Sequence, residues 1–157
     1  MIKHLVFCSS VILILALTVS GYADEHFPFT AEVIKDSVNV RAGANANFEK
    51  VDKLSRGTRV IVLGRSYEWY KIQPLVSTRE YIRSDYLQIK AGGLAAEVSG
   101  DRVNVRASPN SDAAALGQVK KGTEVKILEQ ANGWCQLAPV AGTAVWVQQD
   151  FLKRVDG

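Results

Sequence analysis

Histidine and cysteine are nearly missing from this chain of 157 residues. Each occurs twice, as His4 and His26 and as Cys8 and Cys135. A Cys-His nucleophile needs its histidine within hydrogen-bond reach. A zinc site needs three or four closely spaced His, Cys or acidic ligands. Neither set can be assembled from these residues, so no catalytic and no metal-binding residues are expected. No glycine-rich phosphate loop follows a strand, and Gly92-Gly93 reads as a turn-forming linker. No cofactor is expected. The formal charge of +3 is scattered rather than clustered, which argues against a nucleic-acid partner. Helical apolar stripes are absent as well.

Beyond residue 19 there is no long apolar run, but the start of the chain has one. Lys3 and His4 lead into the apolar stretch 5–19, and Gly21-Tyr22-Ala23 follows. A basic start, an apolar run and a small-x-small end read as a secretory leader over 1–23, cut after Ala23. The run is short for a bilayer span of about 20 residues, so no stable membrane span is expected once the leader is removed. The protein is then periplasmic or secreted. Cys8 would leave with the leader and Lys3 would take one positive charge with it. A single Cys135 cannot form an internal disulfide, and it reads as a small buried hydrophobe.

What the chain has is repetition. Val38-Asn39-Val40-Arg41-Ala42 returns as Val103-Asn104-Val105-Arg106-Ala107, 65 residues later. The same offset carries Gly57-Thr58 onto Gly122-Thr123, Trp69 onto Trp134, Pro74 onto Pro139, Thr78 onto Thr143 and Asp85 onto Asp150. Tyr81, Ile82 and Tyr86 become Trp146, Val147 and Phe151. A fixed period across the chain means two copies of one small module. The organisation expected is a tether at 24–30, module 1 at 31–90, a linker at 91–95 and module 2 at 96–157.

Within each copy the apolar period is two. Val38, Val40 and Ala42 alternate with polar neighbours, and β-branched runs at 59–63 and 124–128 are preceded by Gly-Thr turns and followed by Ser66-Tyr67-Glu68 and Ala131-Asn132-Gly133. Such short strands predict an all-β fold. In the first copy they are expected at 32–42, 51–55, 58–64, 69–73, 79–83 and 86–89, with a single tight turn at 84–86. Tyr70, Ile72, Cys135 and Leu137 are assigned to the cores. Tyr81 and Trp146 are expected to close them.

The second copy, with Val103–Ala107, Lys121-Gly122-Thr123, Gly133-Trp134, Trp146-Val147 and Phe151-Leu152, resembles bacterial SH3 domains. The first copy departs from that pattern at Glu68 and at Glu80-Tyr81-Ile82. The resemblance implies two tandem small SH3-like barrels, each about 60 residues. It also implies a non-catalytic module that engages cell-wall peptide or glycan, or an envelope protein as an interaction adaptor. In related folds a shallow groove lies between the loop after the first strand and the turn before the Trp. The first groove would then use Asn39, Phe48, Tyr67, Trp69 and Tyr86, and the second Asn104, Trp134 and Phe151. The second is expected to be poorer in apolar contact, because Ala113 stands where the first copy has Phe48. Arg41 and Arg106 are read as structural, pairing with Asp85 and Asp150 to tie the first strand to the last.

Overall fold

The computed structural model describes residues 25–155. The leader expected over 1–23, with His4 and Cys8, lies outside the described residues. The first repeat forms β1 (Phe29–Val33), β2 (Val38–Arg41), β3 (Lys50–Leu54), β4 (Arg59–Ser66), β5 (Trp69–Ile72), β6 (Glu80–Arg83) and β7 (Leu87–Ile89). The second forms β8 (Ala95–Val98), β9 (Val103–Arg106), β10 (Ala115–Val119), β11 (Glu124–Ala131), β12 (Trp134–Leu137), β13 (Val145–Gln148) and β14 (Leu152–Arg154). The tight turns at Ser84–Tyr86 and Gln149–Phe151 are single 3-10 turns. The class is all-β, as expected. Two details differ. The strand expected over 32–42 is broken between β1 and β2, where Ser37 takes φ 56°. Phe29 and Thr30, expected in the tether, belong to β1.

Period-two patterning explains which faces are buried. Side chains along a strand alternate between the two faces of its sheet, and β1, β2, β9 and β13 all alternate between buried and half-buried positions. Two cores result. The first gathers Val33, Val40, Val62, Ile72, Val145 and Val147; the second gathers Ile82, Val98, Val105, Ile127, Cys135 and Leu137. Each buried Val, Ile or Leu contributes about 1.5–3 kcal/mol relative to exposure. Cys135 is fully buried in the second core, the place its sequence position suggests. Tyr70 lies at the rim of the first core rather than deep in it. Its hydroxyl donates to Glu25, and burial pushes its pKa up to about 12.

The strands form two seven-stranded antiparallel sheets, but the sheets are not the repeats. The first sheet has the order β14-β1-β4-β5-β13-β2-β3, and the second β10-β9-β6-β12-β11-β8-β7. Each copy therefore sends its last two strands into the other copy's sheet. Val145, Trp146 and Val147 register with Ile72, Lys71 and Tyr70, while Ile82 and Tyr81 register with Cys135 and Gln136. Ala31 registers with Arg154. The exchange is reciprocal down to single bonds. Ser84 N–H donates to Gly133 O and Gln149 N–H to Glu68 O, both at 2.9 Å, and the partners are related by the 65-residue offset.

The shortest connection explains the exchange. Gly92 and Gly93, with φ 92° and 74°, turn the chain so that β7 pairs with β8 as a hairpin. A tight hairpin makes its two strands neighbours. Once β7 lies beside β8, β6 is carried into the second sheet, and β13 with β14 is left to complete the first. The loops 73–79 and 138–144 carry the two crossings. Chain exchange also joins the cores: Ala107 and Leu116 of the second repeat pack into the first.

Candidate functional site

Two grooves lie at corresponding places on the two sheets. The first, about 330 Å³, is lined by Lys35, Asn39, Arg41, Trp69, Gln148 and Phe151 among others. The second, about 410 Å³, is lined by Arg102, Asn104, Arg106, Trp134, Arg83 and Tyr86 among others. Asn39 and Asn104, Arg41 and Arg106, and Trp69 and Trp134 are repeat partners. So are Gln148 and Arg83, and Phe151 and Tyr86. Because the closing strands are exchanged, each groove is built from both copies. Phe151 sits with Asn39 and Trp69, and Tyr86 with Asn104 and Trp134. This corrects the expected grouping, which placed Tyr86 in the first groove and Phe151 in the second.

Alternation positions the polar and aromatic side chains. In β2, Val38 and Val40 turn inward, so Asn39 and Arg41 face out. In β12, Cys135 and Leu137 are buried while Trp134 is half-buried at the groove wall. Phe48 and Tyr67 do not line the first groove. Phe48 lies across Gly43, where an added Cβ would come within 2.5 Å of its ring. Tyr67 occupies the β4–β5 turn at φ 51° and is 89 % exposed. The comparison of Phe48 with Ala113 therefore has no bearing on the grooves. Tyr81 and Trp146 are half-buried on the outer face rather than closing the cores, because Glu80, Ile82, Val145 and Val147 hold the inward positions. Tyr81 shares a second hollow, about 270 Å³, with the other side of Trp134.

Arg41 and Arg106 are structural in a different way from the one expected. Arg41 Nη1 donates to Phe48 O at 2.8 Å, and Arg106 Nη1 to Ala113 O at 2.6 Å. Each fastens its strand to the far end of its own long loop. Asp85 pairs with Arg83 instead, and among the described residues neither Arg41–Asp85 nor Arg106–Asp150 forms an ion pair. The arginines hold the loop that makes the groove wall, which β2 and β9 carry at the same place.

Sequence reasoning missed two polar contacts between the copies. Glu49 accepts from Ala114 N–H at 3.0 Å and from the Ser108 hydroxyl at 2.6 Å. Glu80, fully buried, accepts from Val140 N–H at 3.0 Å and lies 2.6 Å from the Thr143 hydroxyl. Burial pushes its carboxyl up to about 7, against the opposing pull of the Thr143 and Val140 hydrogen bonds. A Glu at an inward strand position beside Val145 in the matching copy was the signal available.

Among the described residues no cluster of His, Cys, Asp and Glu has the makings of a metal site. No described helix is long and apolar enough to cross a membrane.

The comparisons with known proteins agree with this architecture. The chain is 26 % identical over 129 residues to a putative N-acetylmuramoyl-L-alanine amidase, YrvJ, of Bacillus subtilis (strain 168). That similarity covers 73 % of this chain but only 25 % of the relative, so the chain spans about a quarter of that protein's length. A family model described as "Bacterial SH3 domain" matches residues 36–88 and again 101–153, more than half of the chain and at the same 65-residue offset. With two matched copies and an all-β fold of two seven-stranded sheets, the chain belongs to the bacterial SH3 domain family.

Proposed function

We propose that this protein is a non-catalytic, exported binding protein that engages cell-wall peptidoglycan or its peptides through its two grooves. The observation that carries this reading is the paired open groove, each lined by a tryptophan, an asparagine and a second aromatic ring. Aromatic faces supply apolar contact and neighbouring amides hydrogen-bond an extended chain. The similarity to a stretch of a putative muramoyl-alanine amidase supports a wall ligand. The apolar leader expected over 1–23 supports an extracytoplasmic location.

Co-sedimentation with purified sacculi at low salt tests the proposal. The chain from residue 24 onward should pellet with the sacculi. Recovery wholly in the supernatant overturns the reading, and capture of one stoichiometric envelope protein in its place establishes an adaptor instead.

A further inference from the structure

The two grooves share their frame but differ in charge and in access. In the first, Lys35 Nζ lies 5.1 Å from the centre of the Phe151 ring, so the cation covers the aromatic floor. Gly100 takes the place of Lys35 in the second. An added Cβ there would come within 3.2 Å of Tyr86 and 2.7 Å of Val103. Glycine therefore keeps the ring bare, and Tyr86 is 44 % exposed.

The guanidinium groups are distributed to match. Ser37 and Gln148 of the first groove are replaced by Arg102 and Arg83 in the second. Arg102 is exposed, held at φ 52°, and has no hydrogen-bond or ion-pair partner among the described residues. Arg83 reaches the groove only because β6 is exchanged into the second sheet. Its partner Asp85 leaves it 48 % exposed. Asn104 lines the same groove, its Oδ1 accepting from Gln118 Nε2 at 2.9 Å. Guanidinium forks recognise carboxylates in a planar, two-point manner that a lysine does not match.

We propose that the second groove is the selective one, and that it takes an extended peptide bearing free carboxylates, held between Arg83, Arg102 and the Tyr86–Trp134 floor. This deepens the wall-binding reading and rests on it for the source of the peptide. Wall stem peptides are of this chemical class.

The probes are a synthetic stem-like peptide, L-Ala-γ-D-Glu-L-Lys-D-Ala-D-Ala, and the same peptide with its free carboxyls amidated. Binding is followed by calorimetry on the chain from residue 24 onward. The acidic peptide should bind about tenfold more tightly than the amide, the ratio expected for one charge-assisted contact. The double variant Arg83→Gln, Arg102→Ser carries the first groove's residues and should lose that preference with its melting temperature unchanged. Asp85→Asn, which frees Arg83, should keep the preference or increase it. Equal binding of the two peptides overturns the proposal, as does a preference that survives the double variant. Sacculi that bind while neither peptide does leave wall binding standing and overturn this inference. An acidic peptide that binds while sacculi do not has the reverse consequence.

Discussion

The two crossings, 73–79 and 138–144, do the same job with different chemistry. The first is pinned from its own copy: the Ser77 and Thr78 hydroxyls donate to Asp52 Oδ2 at 2.7 and 3.1 Å. The second approaches so closely that the residue matching Asp52 is Gly117, which bridges to Thr143 across a backbone contact. A Cβ at 117 would lie 2.4 Å from Gly142 O and 2.9 Å from Thr143 Cα. The second crossing is then tied to the other copy through Glu80, where the first sheet has Val145 in the matching place. Duplicated chains keep the outline of a contact while its donors and acceptors drift independently. One crossing is now fastened by a half-buried aspartate, the other by a buried carboxyl and an absent side chain.

The exchange itself can be broken all-or-none. Lys71 registers with Trp146, whereas two self-contained copies would place Lys71 opposite Tyr81. Facing positions on antiparallel strands suit a disulfide. In a Cys135→Ser background, Lys71→Cys with Trp146→Cys should cross-link on oxidation, and Lys71→Cys with Tyr81→Cys should not. The opposite pattern, read by peptide mapping, would dissolve the exchange.

Gly117→Asp gives the second crossing the residue of the first and should show the next largest effect. Backbone has to move to admit the side chain, costing about 3 kcal/mol, roughly a 10 °C loss in melting temperature. A variant that melts within a degree or two of the parent would show that the close approach is relieved cheaply.

Glu80 should give the second crossing a pH dependence. Its folded carboxyl is raised to about 7 from an ordinary 4.5. The charged form is thus disfavoured in the folded protein. Its stabilising contribution is whole below pH 4.5, falls between 4.5 and 7, and is lost above. Glu80→Gln keeps the acceptor for Val140 N–H without the charge, and should flatten this slope and melt higher than the parent at pH 8. Thermal melts across pH 4–8 decide it, and parallel profiles for the two proteins would contradict it. Asp52→Gly, the reciprocal exchange at the first crossing, should cost about 1–2 kcal/mol, less than Gly117→Asp, because water replaces its exposed bond to Ser77 and only the hydroxyl of the buried Thr78 loses its acceptor. A loss as large as that of Gly117→Asp would make the two crossings energetically alike.

Much of this was open to reading in the linear chain. The alternation at 38–42, the Gly-Thr and Asn-Gly turns and the constant offset between copies led to an all-β, duplicated fold, and single strands were placed to within a few residues. The frame of the groove was visible too, in Asn39 with Trp69 and in Asn104 with Trp134. What failed were statements about which copy a distant side chain joins. Tyr86 and Phe151 each join the other copy's groove, and Arg41 meets a loop carbonyl rather than an acid. The connection 90–94, with two glycines between alternating strands, carries the missing signal. Read as a hairpin rather than a spacer, it puts β7 beside β8.

The amino-acid order by itself determined the strands, their inward faces, the turns and the duplication, because these depend on side-chain period and on local backbone preference. It did not determine partnership. Both copies end in closing strands of the same pattern, so either can complete either sheet with similar hydrogen bonds and similar burial. Only the three-dimensional arrangement resolves that degeneracy, through a hairpin too short to let β7 lie anywhere but beside β8. That choice is what brings Arg83 and Tyr86 to the groove of Trp134.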